Sequence, residues 1–220
     1  ASHLLRTASF ELKTIDAVQV FLDLHGWSAP VVAAGAMRLH LDGHDGDAYA
    51  LLRAAAAATP DAAGWYRVEE AGLRVLDGGV GQALDLLEAS SPDDHPCWHL
   101  HHGLLARSLG RTDAAEAHWR DQVRAQPDEP LGWKLLAWHH LQESEDAGAA
   151  EEVLREACQR FPEAMEFRAW LGHALYRQER RGEALRELEA SRRLETSDPE
   201  FAADVDTLLA RIRDELAAEG

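Results

Sequence analysis

Residues 165–198 read MEFRAWLGHALYRQERRGEALRELEASRRLETSD, and their spacing decides the fold. Gly172 and Ala184 are small residues in two successive helical runs, Leu188 follows one helical turn after the second of them, and Ser191 one turn later. Leu185, Leu188 and Leu194 recur at helical spacing. Two helices whose axes approach to about 8–10 Å need Gly or Ala where they cross, and a bulky neighbour fills the groove beside the crossing. The stretch Trp170-Leu171-Gly172-His173-Ala174-Leu175-Tyr176 therefore reads as the first helix of an antiparallel pair, and the run through Leu188 as the second.

Moving outward, the same unit recurs roughly every 34 residues. Helix breakers Pro60, Pro92, Pro127, Pro162 and Pro199 separate the helical runs, with Gly43, Gly78 and Gly110 midway between them. The small pairs are Ala36 with Ala48, Ala71 with Ala83, Gly103 with Ala115, Ala137 with Ala150, and Gly172 with Ala184. The large residue four positions on is Leu52, Leu87, Trp119, Leu154 and Leu188, and the next is Ala55, Ser90, Gln122, Ala157 and Ser191. Strand-type alternation is scarce, and Ala and Gly supply 39 and 16 of 220 residues.

On these positions the chain resembles the tetratricopeptide repeat (TPR) family. The resemblance covers residues 29–198 and is strongest in the repeats that start near Pro96 and surround Gly172. It is weakest in the second, where Arg67 and Glu70 stand at positions the family gives to an aromatic residue and Leu; the fourth carries an extra residue between Ser144 and Gly148. The implied fold is all-α: a right-handed superhelical solenoid of five helix hairpins, at about 29–62, 64–92, 96–129, 130–164 and 165–198. A tail and capping helix are expected over 1–28, with Ile15, Val18, Phe21, Leu22 and Leu24 on Thr14–His25. A C-terminal capping helix is expected over 199–220, since Asp198-Pro199-Glu200 is a helix start and Phe201, Val205, Leu208, Ile212 and Leu216 follow at spacings of three or four.

Charge bounds the partners. Formal net charge is -17, from 39 acids and 22 bases, and Lys13 and Lys134 are the only lysines. Binding to nucleic acid needs clustered bases that displace counterions, so it is not expected. No run of 18 apolar residues is present, so no membrane insertion is expected. The first residues lack a signal-peptide layout, which points to a cytoplasmic protein, although a chain beginning at Ala1 leaves room for a removed leader. Cys97 and Cys158 form neither a C-x-x-C pair nor a disulfide framework.

Several residues invite chemistry. On a helix from Pro96, His99 and His102 share one face and Cys97 and His101 the next; with His95 they are an alternative metal-binding cluster. The competing reading makes His99 and His102 intra-repeat core residues and Cys97 a small groove residue. Cys97 with His101 is a nucleophile pair without an orienting group, and no G-x-S-x-G or phosphate loop is present, so no enzyme activity and no cofactor are expected. Trp65, Trp98, Trp133, Trp138 and Trp170 fall on first helices, as core residues or groove anchors. Arg177, Arg180, Arg181, Arg186, Arg192 and Arg193 interleave with glutamates as a solvated face.

The resemblance implies a concave groove lined by the first helices. Its positions here are Met37, His40 and Leu41; Trp65; Leu100, Leu104 and Arg107; Leu131, Lys134, Trp138, Leu141 and Gln142; and Ala169, His173, Tyr176 and Arg177. With no Asn in the chain, the Asn-based carboxylate clamp of chaperone-tail binders cannot be built in its usual form. The expected function is a non-catalytic adaptor or assembly factor that holds a partner peptide in this groove, one with aliphatic anchors and an acidic end. The alternatives are a regulatory or substrate-recruiting arm of a larger enzyme system and the metal-binding reading. A homodimer through an edge repeat is allowed and not required.

Overall fold

The computed structural model describes residues 28–196 and 198–219. The helix expected over Thr14–His25 lies outside the described residues. Among the described residues eleven α-helices follow one another: α1 (Ala29–Leu41), α2 (Asp45–Ala58), α3 (Ala63–Leu76), α4 (Val80–Glu88), α5 (Trp98–Ser108), α6 (Thr112–Ala125), α7 (Pro130–Gln142), α8 (Ala147–Arg160), α9 (Met165–Arg177), α10 (Arg181–Ser191) and α11 (Pro199–Glu219). A single 3₁₀ turn, Pro60–Ala62, precedes α3. No strand occurs among the described residues.

The chain divides into two compact units, one ending at His118 and the other beginning at Trp119, within α6. In the first, α1 packs on α2, α2 on α3, and α3 on both α4 and α5. In the second, α7 packs on α8, α8 on α9, α9 on α10, and α10 on α11.

Small residues mark the helix crossings. Ala36, Ala48, Ala71, Ala83, Ala115, Ala137, Ala150 and Ala184 are buried, as are Gly103 and Gly172. So are the bulky residues beside them, Leu52, Leu87, Trp119, Leu154 and Leu188. At Gly172 the approach leaves no room for a side chain: a Cβ there would sit 2.5 Å from Leu188 Cγ and 3.2 Å from the Ala184 carbonyl oxygen. Between the helices of each pair the chain reverses through one residue with positive φ. It is Gly43 (80°), Gly78 (73°) and Gly110 (71°), then Glu145 (52°) and Glu179 (60°). Each follows the end of a first helix, where a left-handed residue closes the last turn.

The weakly matching second repeat has a local explanation. Glu70 is buried where a Leu would be expected, and its carboxylate accepts from Arg53 Nη2 at 2.6 Å and Arg74 Nη2 at 3.0 Å. Two guanidinium groups therefore replace the apolar contacts. The extra residue before α8 leaves Asp146 as its N-cap, accepting from the Gly148 and Ala149 amides at 3.0 and 2.9 Å. Asp198 caps α11 in the same way, accepting from the Phe201 amide at 2.9 Å. Ala202, Val205, Leu209 and Ile212 then bury one face of α11 against the core of the second unit.

Candidate functional site

In the first unit, Met37 and Leu41 point outward from α1, 38% and 69% exposed, and Leu76 on α3 is 60% exposed. Met37 and Leu41 are among the N-terminal groove positions expected from the sequence. Trp65 is half-buried, its ring 4.5 Å from the His95 ring and 5.5 Å from Tyr66. Leu100 is buried in the helix packing, and Leu104 and Arg107 are half-buried.

The His-rich segment is a packed cluster. His95 Nδ1 accepts from the Cys97 amide at 2.9 Å, which puts the ring proton on Nε2, and Nε2 lies 2.8 Å from Glu69 Oε1. His102 stacks on Trp98 with ring centroids 3.8 Å apart, and His118 lies 5.0 Å from His102 and 5.9 Å from His99. Buried Nδ1 of His99 and of His101, and Nε2 of His102, accept or donate no hydrogen bond. Burial, opposed by Glu69 and assisted by His95, pushes the His101 pKa down to about 4. Burial and the neighbouring His118 and His99 bring His102 to about 4 as well. Among the described residues, no three of His95, Cys97, His99, His101 and His102 bring ligand atoms within 4.8 Å of one another. The cluster packs ring against ring, with His101 and His102 neutral near pH 7, and gives no support to the metal-binding alternative.

In the second unit the groove positions of α7 and α9 are linked to each other. Lys134 Nζ on α7 donates to Glu166 Oε1 on α9 at 3.0 Å, and Arg177 Nη1 donates to the Leu141 carbonyl oxygen at 2.5 Å. Two of the three groove bases, Arg107 being the third, are therefore engaged within the protein. Leu131 is 50% exposed, Gln142 is exposed, Trp138 is half-buried, and Leu141 and Ala169 are buried. Tyr176 donates to Glu215 Oε1 of α11 at 2.7 Å, and Arg181 Nε lies 2.9 Å from Glu215 Oε2.

These ties bring α11 beside α9 and leave a cavity of about 260 Å³ between them. Ala169, Trp170 and His173 of α9, Leu188 of α10, and Phe201, Asp204, Val205 and Leu208 of α11 line it. Burial, with Arg177 adding to it, lowers the His173 pKa, so the wall carries a neutral ring near pH 7. Of the groove positions expected from the sequence, Ala169 and His173 line this cavity; the α11 residues were not among them. The signal was present in Phe201 and Leu208, which repeat one turn apart from the residues that α11 buries. Burial raises the Cys158 thiol to about 11, which keeps it protonated near neutrality.

The sequence model of the tetratricopeptide repeat matches residues 100–165 and 144–199. No curated protein matches significantly in sequence. Among solved structures, similarity extends to the Cut9–Hcn1 hetero-tetramer of the APC/C, at 18% identity and a TM-score of 0.63. The match covers 100% of this chain and 42% of that one, so the chain spans less than half the length of that relative. A tetratricopeptide repeat protein from Parabacteroides merdae aligns at 11% identity and a TM-score of 0.61, over 96% of this chain and 81% of the other. YrrB, described as a TPR protein with an unusual peptide-binding site, aligns at 14% identity and a TM-score of 0.57, over 88% and 100%. At these identities the likeness carries the fold.

Proposed function

We propose that the chain, which matches the tetratricopeptide repeat over residues 100–199 and shares the fold of tetratricopeptide-repeat proteins, is a non-catalytic adaptor or assembly factor that holds a segment of a partner protein. The observation that carries this reading is the cavity between α9 and α11, walled by Ala169, His173, Phe201, Val205 and Leu208. Its apolar walls suit one aliphatic or aromatic anchor of a peptide. Exposed Leu131 on α7 of the same unit adds apolar surface for flanking residues of the ligand. YrrB is described as having a peptide-binding site, which agrees with this reading at the level of fold.

The pairing of Lys134 with Glu166 changes the expected ligand. A peptide with an acidic end would have to displace Glu166, whereas an apolar anchor needs no such exchange. The partner segment is accordingly defined by its aliphatic or aromatic side chain rather than by its charge.

The test is selection from a displayed library of random peptides on the purified chain, followed by titration of the enriched sequence. Enrichment of peptides sharing one large apolar residue, with binding weakened at least tenfold by Leu208→Glu in a variant of unchanged circular dichroism, is the expected result. Peptides that bind the Leu208→Glu variant equally well would remove the cavity from the reading. Loss with Leu104→Glu instead would place the site in the first unit.

A further inference from the structure

Two hairpins of the first unit meet at a point where three metal-ligating side chains converge, away from the His-rich helix and from the cavity beside α11. His40 is on α1, Asp45 opens α2, and Asp77 follows the last residue of α3. His40 Nδ1 lies 2.8 Å from Asp45 Oδ1 and 3.4 Å from Asp77 Oδ1. One ligand atom from each of the three lies within 4.8 Å of the other two.

A proton serves this arrangement poorly. Nδ1 carries at most one hydrogen, which can point along one line, yet two carboxylate oxygens approach that same nitrogen from different elements. Two negative charges then share one N–H. A tetrahedral metal ion with ligands at about 2.0–2.2 Å holds its donor atoms roughly 3.3 Å apart, and the two distances from His40 Nδ1, 2.8 and 3.4 Å, lie within about 0.5 Å of that. A bound dication would also balance both carboxylates.

The surroundings hold Asp77 in position. Its other oxygen, Oδ2, accepts the Tyr49 hydroxyl, and the Arg74 guanidinium covers the Tyr49 ring at 3.6 Å from its centroid. This leaves Oδ1 directed at His40, the role that outer hydrogen bonds play around metal ligands. Asp45 is 45% exposed, so solvent reaches the cluster.

We propose that His40, Asp45 and Asp77 bind a divalent transition-metal ion of the zinc type and so clamp the first helix hairpin to the second. One imidazole with two carboxylates suits zinc or cobalt, whereas calcium and magnesium take sets of oxygen ligands. Binding to the folded state alone would raise the stability of the first unit as the free metal concentration rises.

The test uses the full chain, freed of any His tag and stripped with EDTA, titrated calorimetrically with Zn²⁺ and spectroscopically with Co²⁺. One equivalent of Zn²⁺ should bind, raise the melting temperature, and give Co²⁺ the visible absorption of a tetrahedral site. Asp45→Asn, on an exposed side chain that should leave folding intact, and His40→Ala should each weaken binding by more than about tenfold. His99→Gln with His102→Gln should leave it unchanged. The proposal fails if no Zn²⁺ binds, if Asp45→Asn binds as tightly as the parent, or if the His99 and His102 variant is the one that loses the metal.

Discussion

The five reversals at residues 43, 78, 110, 145 and 179 perform one job with two kinds of residue. Gly43, Gly78 and Gly110 reach positive φ at no steric cost, whereas Glu145 and Glu179 hold φ of 52° and 60° with a Cβ in the way. A left-handed non-glycine residue costs about 1–2 kcal/mol, partly offset because Glu has less freedom to lose than Gly when the chain folds. Glu179→Gly should therefore stabilise the chain by about 0.5–1 kcal/mol, read as a higher urea midpoint at unchanged slope. Gly110→Ala, with open space around its would-be Cβ, should cost about 1 kcal/mol through backbone strain alone. Equal midpoints for Glu179→Gly and the parent would show that the turn is not strained. The three glycines were visible in the sequence as helix breakers. The two glutamates were not, because nothing in the preferences of Glu marks a left-handed turn.

At the scale of helices, close approach decides which pairs form. Gly172 on α9 meets Leu188 and Ala184 on α10 at distances that exclude a methyl group, so Gly172→Ala must push the two helices apart or drive Leu188 off its rotamer. A loss of about 1–3 kcal/mol is expected in a chemical unfolding curve. Gly46→Ala, on α2 with nothing near its would-be Cβ, is the control and should lose nothing. Parallel behaviour of the two variants would sink the packing argument. The same crossings are what made the fold legible from sequence: small and large residues at fixed offsets describe helix contact directly. Repeat two was obscure because Glu70 breaks the apolar pattern, and its partners Arg53 and Arg74 lie 17 and 4 residues away. The candidate site was legible only in part. Groove positions carried over by offset include Leu100, Leu141 and Ala169, which are buried. Offset fixes the face of a helix but not the depth to which neighbouring side chains cover it. Nor could it show that Lys134 is engaged by Glu166, or that Phe201 and Leu208 complete a cavity, since both depend on where another helix lies.

At the scale of the whole chain, the two units differ in what acid does to them. In the first, His101 and His102 are held neutral with pKa values of about 4, below the ordinary histidine value of about 6.5. The unfolded chain then binds more protons than the folded one between those limits, so this stability is complete above about pH 6.5 and drains away as pH falls toward 4. For His101 the full swing is on the order of 3 kcal/mol, comparable with a sizeable part of the stability of a small domain. The second unit holds glutamates of the opposite kind. The Glu151 carboxylate, hydrogen-bonded by Gln178, Arg155 and Arg180 against its own desolvation, is lowered to about 2, and Glu166, Glu183 and Glu215 are also lowered. Their contribution is complete above the ordinary carboxylate range and is lost only as pH falls below about 4.5. His173 adds a smaller acid sensitivity there, because its ring is lowered in the same direction as His101. Acidification from pH 7 to 5 should therefore loosen the first unit before the second. Hydrogen exchange resolved by peptide and corrected for intrinsic rates is the measurement. Protection in α3–α5 should fall by pH 5 while α8–α11 stay protected, and His101→Gln should abolish part of the difference. Loss of protection in both units over the same pH interval would mean that the buried histidines do not govern the acid response. Unit-by-unit opening is the behaviour a repeat array permits, because each hairpin is held chiefly by its neighbours and a local change in charge need not melt the whole chain.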